Sequence, residues 1–107
     1  MMQSIRHEVE ADVRRRAKVD GNQSEFAAYI RSRGWSFQSL APVGKGCPDG
    51  LIGKGWLHAI IEFKIPGETL NPMQVDWHGK WSGTVYTAWT VGDVAAILDE
   101  LESRLAA

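Results

Sequence analysis

Gly46-Cys47-Pro48-Asp49-Gly50 and Ile60-Ile61-Glu62-Phe63-Lys64 bound the window that decides the fold, with twelve residues between Asp49 and Glu62. Successive side chains of a strand point to opposite faces, so Glu62 and Lys64 share one face with Ile60, while Ile61 shares the other with Phe63. A strand this apolar is expected at the centre of a sheet, covered on both faces. Burying a carboxylate and an ammonium there is costly unless something pairs or ligates them. That cost is the first sign of a site. Each part also has a plainer reading. Asp49 between proline and glycine is ordinary turn chemistry, and Glu62 with Lys64 is what a charged edge strand carries against aggregation.

Working outward, Leu51-Ile52 reads as a brief strand, Gly53-Lys54-Gly55 as its turn and Trp56 to Lys64 as the antiparallel return. A tight turn sets Asp49 beside Glu62 at one end of this hairpin. Upstream, Trp35 to Leu40 alternates like a short strand with one better-buried face. Pro42 to Gly46 is a glycine-rich loop carrying Lys45, open to close approach by a phosphate backbone but without P-loop spacing. A helix is expected over 23–33, with Phe26, Ala27, Tyr29 and Ile30 on its apolar side and Gly34 as its stop. If Asn22 is its N-cap, Glu25 falls at the third helical position and completes a capping box, where the helix dipole also favours a carboxylate. Residues 1–22 form an N-terminal extension in which Ile5, Val9, Val13 and Ala17 make a narrow helical stripe. That stripe suits a subunit contact, a DNA-backbone contact through Arg14 and Arg15, or a solvated face.

Downstream, Asn71-Pro72 pairs an N-cap with proline at the first helical position, opening a helix to about Trp81. Gln74, Trp77, His78 and Trp81 share one stripe of it. Trp77 and Trp81 are expected in the core, and His78 is expected to be packed rather than catalytic. Thr84 to Thr90 reads as a further strand. Thr90 caps a closing helix whose apolar face is Val94, Ile97, Leu98, Leu101 and Leu105. The whole is one α+β domain over 1–107, a mixed sheet flanked by helices in the order α-α-β-β-β-α-β-α.

Pro48-Asp49 followed by Glu62-Phe63-Lys64 resembles the PD-(D/E)-x-K nuclease superfamily, with its restriction-endonuclease-like sheet. The run Pro66 to His78, with Asn71-Pro72 and Gln74, looks like the VRR-NUC branch, in its small stand-alone phage and bacterial form. Ser24-Glu25 matches that branch's acidic first helix, and the resemblance spans about Gln23 to Ala96. It implies catalytic roles for Asp49, Glu62, Lys64 and Gln74. It also implies a Mg²⁺ or Mn²⁺ ion held by Glu25, Asp49, Glu62 and the backbone carbonyl of Phe63. Lys64 would orient the attacking water, stabilise charge on phosphorus or accept a proton.

Composition limits the alternatives. The 107 residues are 44% hydrophobic with five tryptophans, which suits one globular domain. No run approaches the ~20 apolar residues of a membrane span, and no signal peptide is visible. A single cysteine excludes an internal disulfide and fits a reducing cytoplasm. A net charge of −1 gives no global pull toward nucleic acid, so DNA contacts are expected to be local, through Lys45, Lys54, Arg14 and Arg15.

The expectation is a metal-dependent, structure-selective deoxyribonuclease that cuts branched DNA, a Holliday junction or a flap. It would act as a homodimer in the cytoplasm of a bacterial or phage-infected cell, in DNA repair or replication. The contrasting expectation is a catalytically silent module of the same fold that binds DNA or a replication partner. A sequence-specific restriction-type nuclease is the third, although the chain is short for a recognition element.

Overall fold

The computed structural model describes residues 23–107, so the N-terminal extension, with Arg14, Arg15 and the proposed Asn22 cap, lies outside the described part. Helix α1 covers residues 23–32, and Gly34 closes it at φ 85, a left-handed position that glycine adopts without steric cost. Strand β1 is Ser36–Ser39, followed by a 3₁₀ turn at Ala41–Val43. Strands β2, Gly50–Lys54, and β3, Leu57–Phe63, form a hairpin. Helix α2, Pro72–Lys80, leads into β4, Val85–Ala88, and α3, Val91–Ala106, closes the chain. The fold is α+β, and the described elements follow the expected order.

The sheet runs β1-β2-β3-β4, antiparallel except for the parallel β3–β4 pair that α2 connects. β3 is therefore an interior strand, as its apolar character requires. The ladder continues past its end, where Lys64 N–H donates to Ala88 O at 2.9 Å.

The hairpin turn is one residue further on than the sequence suggests. Lys54 pairs with Leu57, leaving Gly55 and Trp56 as a two-residue turn. Gly55 has φ 60, the positive value that a primed hairpin turn needs at its first central position. Trp56 is thus a solvent-facing turn residue and not the start of the strand.

Gly50, Ile52, Ala59, Ile61, Phe63 and Ala88 share the core face of the sheet by register. Phe63 meets Phe26 of α1 edge-on with centroids 5.1 Å apart, and stacks on Phe37 of β1 at 5.8 Å. Phe37 lies so close over Gly50 that a Cβ there would stand 2.3 Å from its ring. From α3, Val94, Leu98 and Leu101 enter the same cluster, with Ile97 and Leu105 packed against it. Each fully buried aliphatic or aromatic side chain here contributes roughly 1.5–3 kcal/mol. α1 and α3 therefore cover one face of the sheet together.

Helix α2 lies on the other face, and it packs differently from the sequence reading. Asn71 caps it as expected, and Gln74 completes a capping box with it. Yet no residue of α2 is fully buried. Trp77 is half-buried, and Trp81, stacked on it with centroids 4.9 Å apart, is exposed, so these tryptophans are not core. The core lies on the far face, where α1 and α3 already fill it. Thr90 caps α3 as expected, in a capping box with Asp93.

Candidate active site

At the end of β3, Glu62 and Lys64 are both buried, 1% and 3% exposed. Alternation turns them away from Phe63, onto the face that α2 covers. Asp49 stands just before β2. Its Oδ2 accepts the Phe63 N–H at 2.7 Å, and its carboxylate lies within hydrogen-bonding reach of Glu62. The hairpin thus brings Asp49, Glu62 and Lys64 together at one end of the sheet.

Burial raises the Glu62 carboxyl to about 9, reinforced by the hydrogen bond and charge of Asp49; Lys64 and the Phe63 N–H act in the opposite sense. A neighbouring cation would reverse this by favouring the carboxylate. Cys47 sits in the same field. Burial first, then the Glu62 and Asp49 charges, push its thiol up, which disfavours a thiolate ligand.

His78 of α2 completes the cluster. Its Nε2 is 3.7 Å from Glu62 Oε1, and both atoms are buried without a hydrogen-bond partner. The distance alone suggests an ion pair. However, burial, then the Lys64 charge, disfavour the imidazolium, and burial pushes the Glu62 carboxyl up. Both effects work against a charged pair. From sequence alone His78 reads as a packed residue, because it shares a stripe with Trp77. Its only signal was its place four residues after Gln74.

Other expected site residues lie elsewhere. Glu25 is exposed on α1, the helix that packs Phe26 on the Phe63 face, opposite Glu62. The structure does not bring it to Asp49 and Glu62. Gln74 Oε1 accepts the Asn71 N–H at 2.9 Å, a capping contact. Lys54 is at the far end of β2 from Asp49, where its Nζ donates to Arg33 O at 3.0 Å and lies 3.6 Å from Glu102. Lys45 is exposed beside Pro72, Met73 and Asp76, in a loop where Gly44, Lys45 and Gly46 all have positive φ. That loop is held against α2: a Cβ on Gly46 would stand 2.2 Å from Met73 O.

A hard divalent cation is what paired carboxylates beside a lysine suit, and the orphaned, buried Glu62 Oε1 is the observation that fits one here. Among the described residues, no three His, Cys, Asp or Glu side chains are spaced to hold an ion together. Among the described residues, such an ion would take at most two of these side chains, leaving other positions to water and substrate oxygens. Also among the described residues, no helix is long and apolar enough to cross a membrane.

Comparison of the chain with protein-family models, with curated proteins and with solved structures finds no match.

Proposed function

We propose that this chain is a divalent-metal-dependent nuclease of the PD-(D/E)-x-K type, hydrolysing DNA phosphodiesters at Asp49, Glu62 and Lys64. The observation that carries the reading is Glu62 itself. A carboxyl buried to 1% exposure, with one oxygen unpartnered, beside a second carboxylate and a buried lysine, is an expensive arrangement for a purely structural role.

Glu62 would hold the ion, with the Asp49 carboxylate beside it adding negative charge. A bound dication supplies Lewis-acid stabilisation at a phosphoryl oxygen and a more acidic water. Asp49, anchored by the Phe63 N–H, presents its carboxylate in a fixed orientation. Lys64 offers its ammonium to the charge that develops on phosphorus, or orients the attacking water. The sheet face beyond the site, past Leu51 and His58, is an open groove of about 480 Å³ along β1 and β2, a surface on which a nucleic-acid strand can lie.

The VRR-NUC resemblance adds branched DNA as the substrate, a homodimer as the working unit and a cytoplasmic setting. The test is cleavage of linear duplex, single strand, 5′ flap, 3′ flap and four-way junction, each with Mg²⁺, Mn²⁺ or EDTA, beside Lys64→Ala. Metal-dependent cutting of one branched species, lost in Lys64→Ala, is the expected result. Binding to branched DNA without cutting under every metal would replace this reading with a non-catalytic DNA-binding module.

A further inference from the structure

We propose that His78 Nε2 and Glu62 Oε1 together coordinate the ion, making this a mixed nitrogen–oxygen centre for a first-row transition dication rather than a magnesium site. The inference deepens the nuclease reading and rests on it for the location of the ion.

The two atoms are buried, unpartnered and 3.7 Å apart. That separation is too long for a direct hydrogen bond, which ends near about 3.2 Å. A single water bonded to both at about 2.8 Å would be pinched to an angle of about 80°, far from its preferred geometry. Two donors each about 2.1 Å from one ion can stand up to about 4.2 Å apart, so an ion fits between them. Each atom belongs to an element fixed independently. Glu62 is held in the interior strand β3, and His78 lies on α2, which the Asn71–Gln74 capping box and the Gly46 loop hold in place.

The donor types then decide which ion. Mg²⁺ selects oxygen ligands in near-ideal octahedral geometry, whereas imidazole suits the later divalent metals and carboxylate tolerates them. Two protein donors leave the rest of the sphere to water and to a phosphate oxygen, in keeping with the lack of any three-residue group among the described residues. Asp49, whose Oδ2 accepts the Phe63 N–H, acts on the Glu62 carboxyl and steadies it beside the ion.

The experiment loads the full chain with Mn²⁺ and records electron spin-echo modulation, alongside calorimetric titrations with Mn²⁺ and Mg²⁺. His78→Phe removes the donor at similar volume, and His78→Gln replaces nitrogen with an amide oxygen; circular dichroism shows whether each variant folds. The expected result is one coupled ¹⁴N nucleus in the native chain, absent from both variants. Mn²⁺ affinity should fall about tenfold or more in His78→Phe, and His78→Gln should narrow the preference for Mn²⁺ over Mg²⁺. Nitrogen coupling that persists in folded His78→Phe, or no coupling in the native chain, overturns the proposal. Coupling without DNA cleavage supports the centre and removes the nuclease reading. Mg²⁺-dependent cleavage indifferent to His78 does the reverse.

Discussion

Asp49 Oδ2 accepts the Phe63 amide hydrogen at 2.7 Å, tying the residue before β2 to the end of β3. A turn aspartate therefore does two things: it satisfies a buried backbone donor and holds its charge beside Glu62. Substitution can separate these roles. Asp49→Asn keeps an acceptor oxygen and is expected to fold with near-native stability. Asp49→Ala leaves the Phe63 N–H orphaned and should cost about 1–3 kcal/mol. Both should abolish metal-dependent cleavage. Urea midpoints read the first difference and the cleavage panel reads the second. Cleavage surviving in Asp49→Asn would show that the carboxylate is structural only.

Glu62 makes the ion-free protein sensitive to alkali. Its folded carboxyl titrates at about 9, against an ordinary value of 4.5. Between those pH values the native state holds a proton that the unfolded chain has released. The sign follows: this contribution is complete below about pH 4.5 and is lost as pH rises toward 9, at up to about 1.4 kcal/mol per pH unit. The thermal midpoint in EDTA should therefore decline from pH 5 to pH 9, and Glu62→Gln should flatten the decline. Saturating Mn²⁺ should flatten it too, because ion binding favours the carboxylate and releases the proton. Equal slopes for native chain and Glu62→Gln in EDTA would place the buried proton elsewhere.

Lys64 lowers the Glu62 carboxyl toward ionisation and opposes the imidazolium of His78. Lys64→Met, similar in length and apolar, should fold and remain compact while losing cleavage. It should also change Mn²⁺ affinity only modestly, since Lys64 is no ligand. Without the ammonium, the Glu62 carboxyl should titrate still higher, visible by infrared difference spectroscopy as a protonated carboxyl persisting to more alkaline pH. A Lys64→Met protein that still cuts DNA at the native rate would remove Lys64 from the chemistry.

Much of the fold was legible because local signals agreed with tertiary structure. Asn71 and Thr90 cap their helices, Gly34 ends α1, and the apolar run of β3 lies inside the sheet. The Asp49–Glu62–Lys64 cluster followed from a hairpin and the period of two. What stayed hidden depended on which face a helix covers. A stripe on α2 orders Trp77, His78 and Trp81 together, but it does not say that the core lies on the opposite side of the sheet. The stripe alone puts the tryptophans in the core and His78 in plain packing, whereas His78 reaches Glu62. Glu25 was misplaced for the same reason, since α1 packs on the Phe63 face.

The glycine loop before Asp49 offers a test of how the site is held in place. Gly44 and Gly46 both have positive φ, 66 and 82, and Gly44, at ψ −161, lies in a region that side-chain-bearing residues avoid, so alanine at either incurs backbone strain of about 1–3 kcal/mol. Their surroundings differ. An added Cβ at Gly44 meets nothing within 4 Å, whereas at Gly46 it would stand 2.2 Å from Met73 O and 2.5 Å from Met73 C. Met73 belongs to the first turn of α2, the helix that carries His78. Gly46→Ala must therefore move α2 or the loop, with an overpacking cost of about 1–3 kcal/mol beyond that of Gly44→Ala. It should also weaken Mn²⁺ binding and cleavage, because a displaced α2 takes His78 away from Glu62. Gly44→Ala should retain both. Denaturant midpoints and Mn²⁺ titrations on the two variants make the comparison, and equal behaviour would mean that the loop does not position α2.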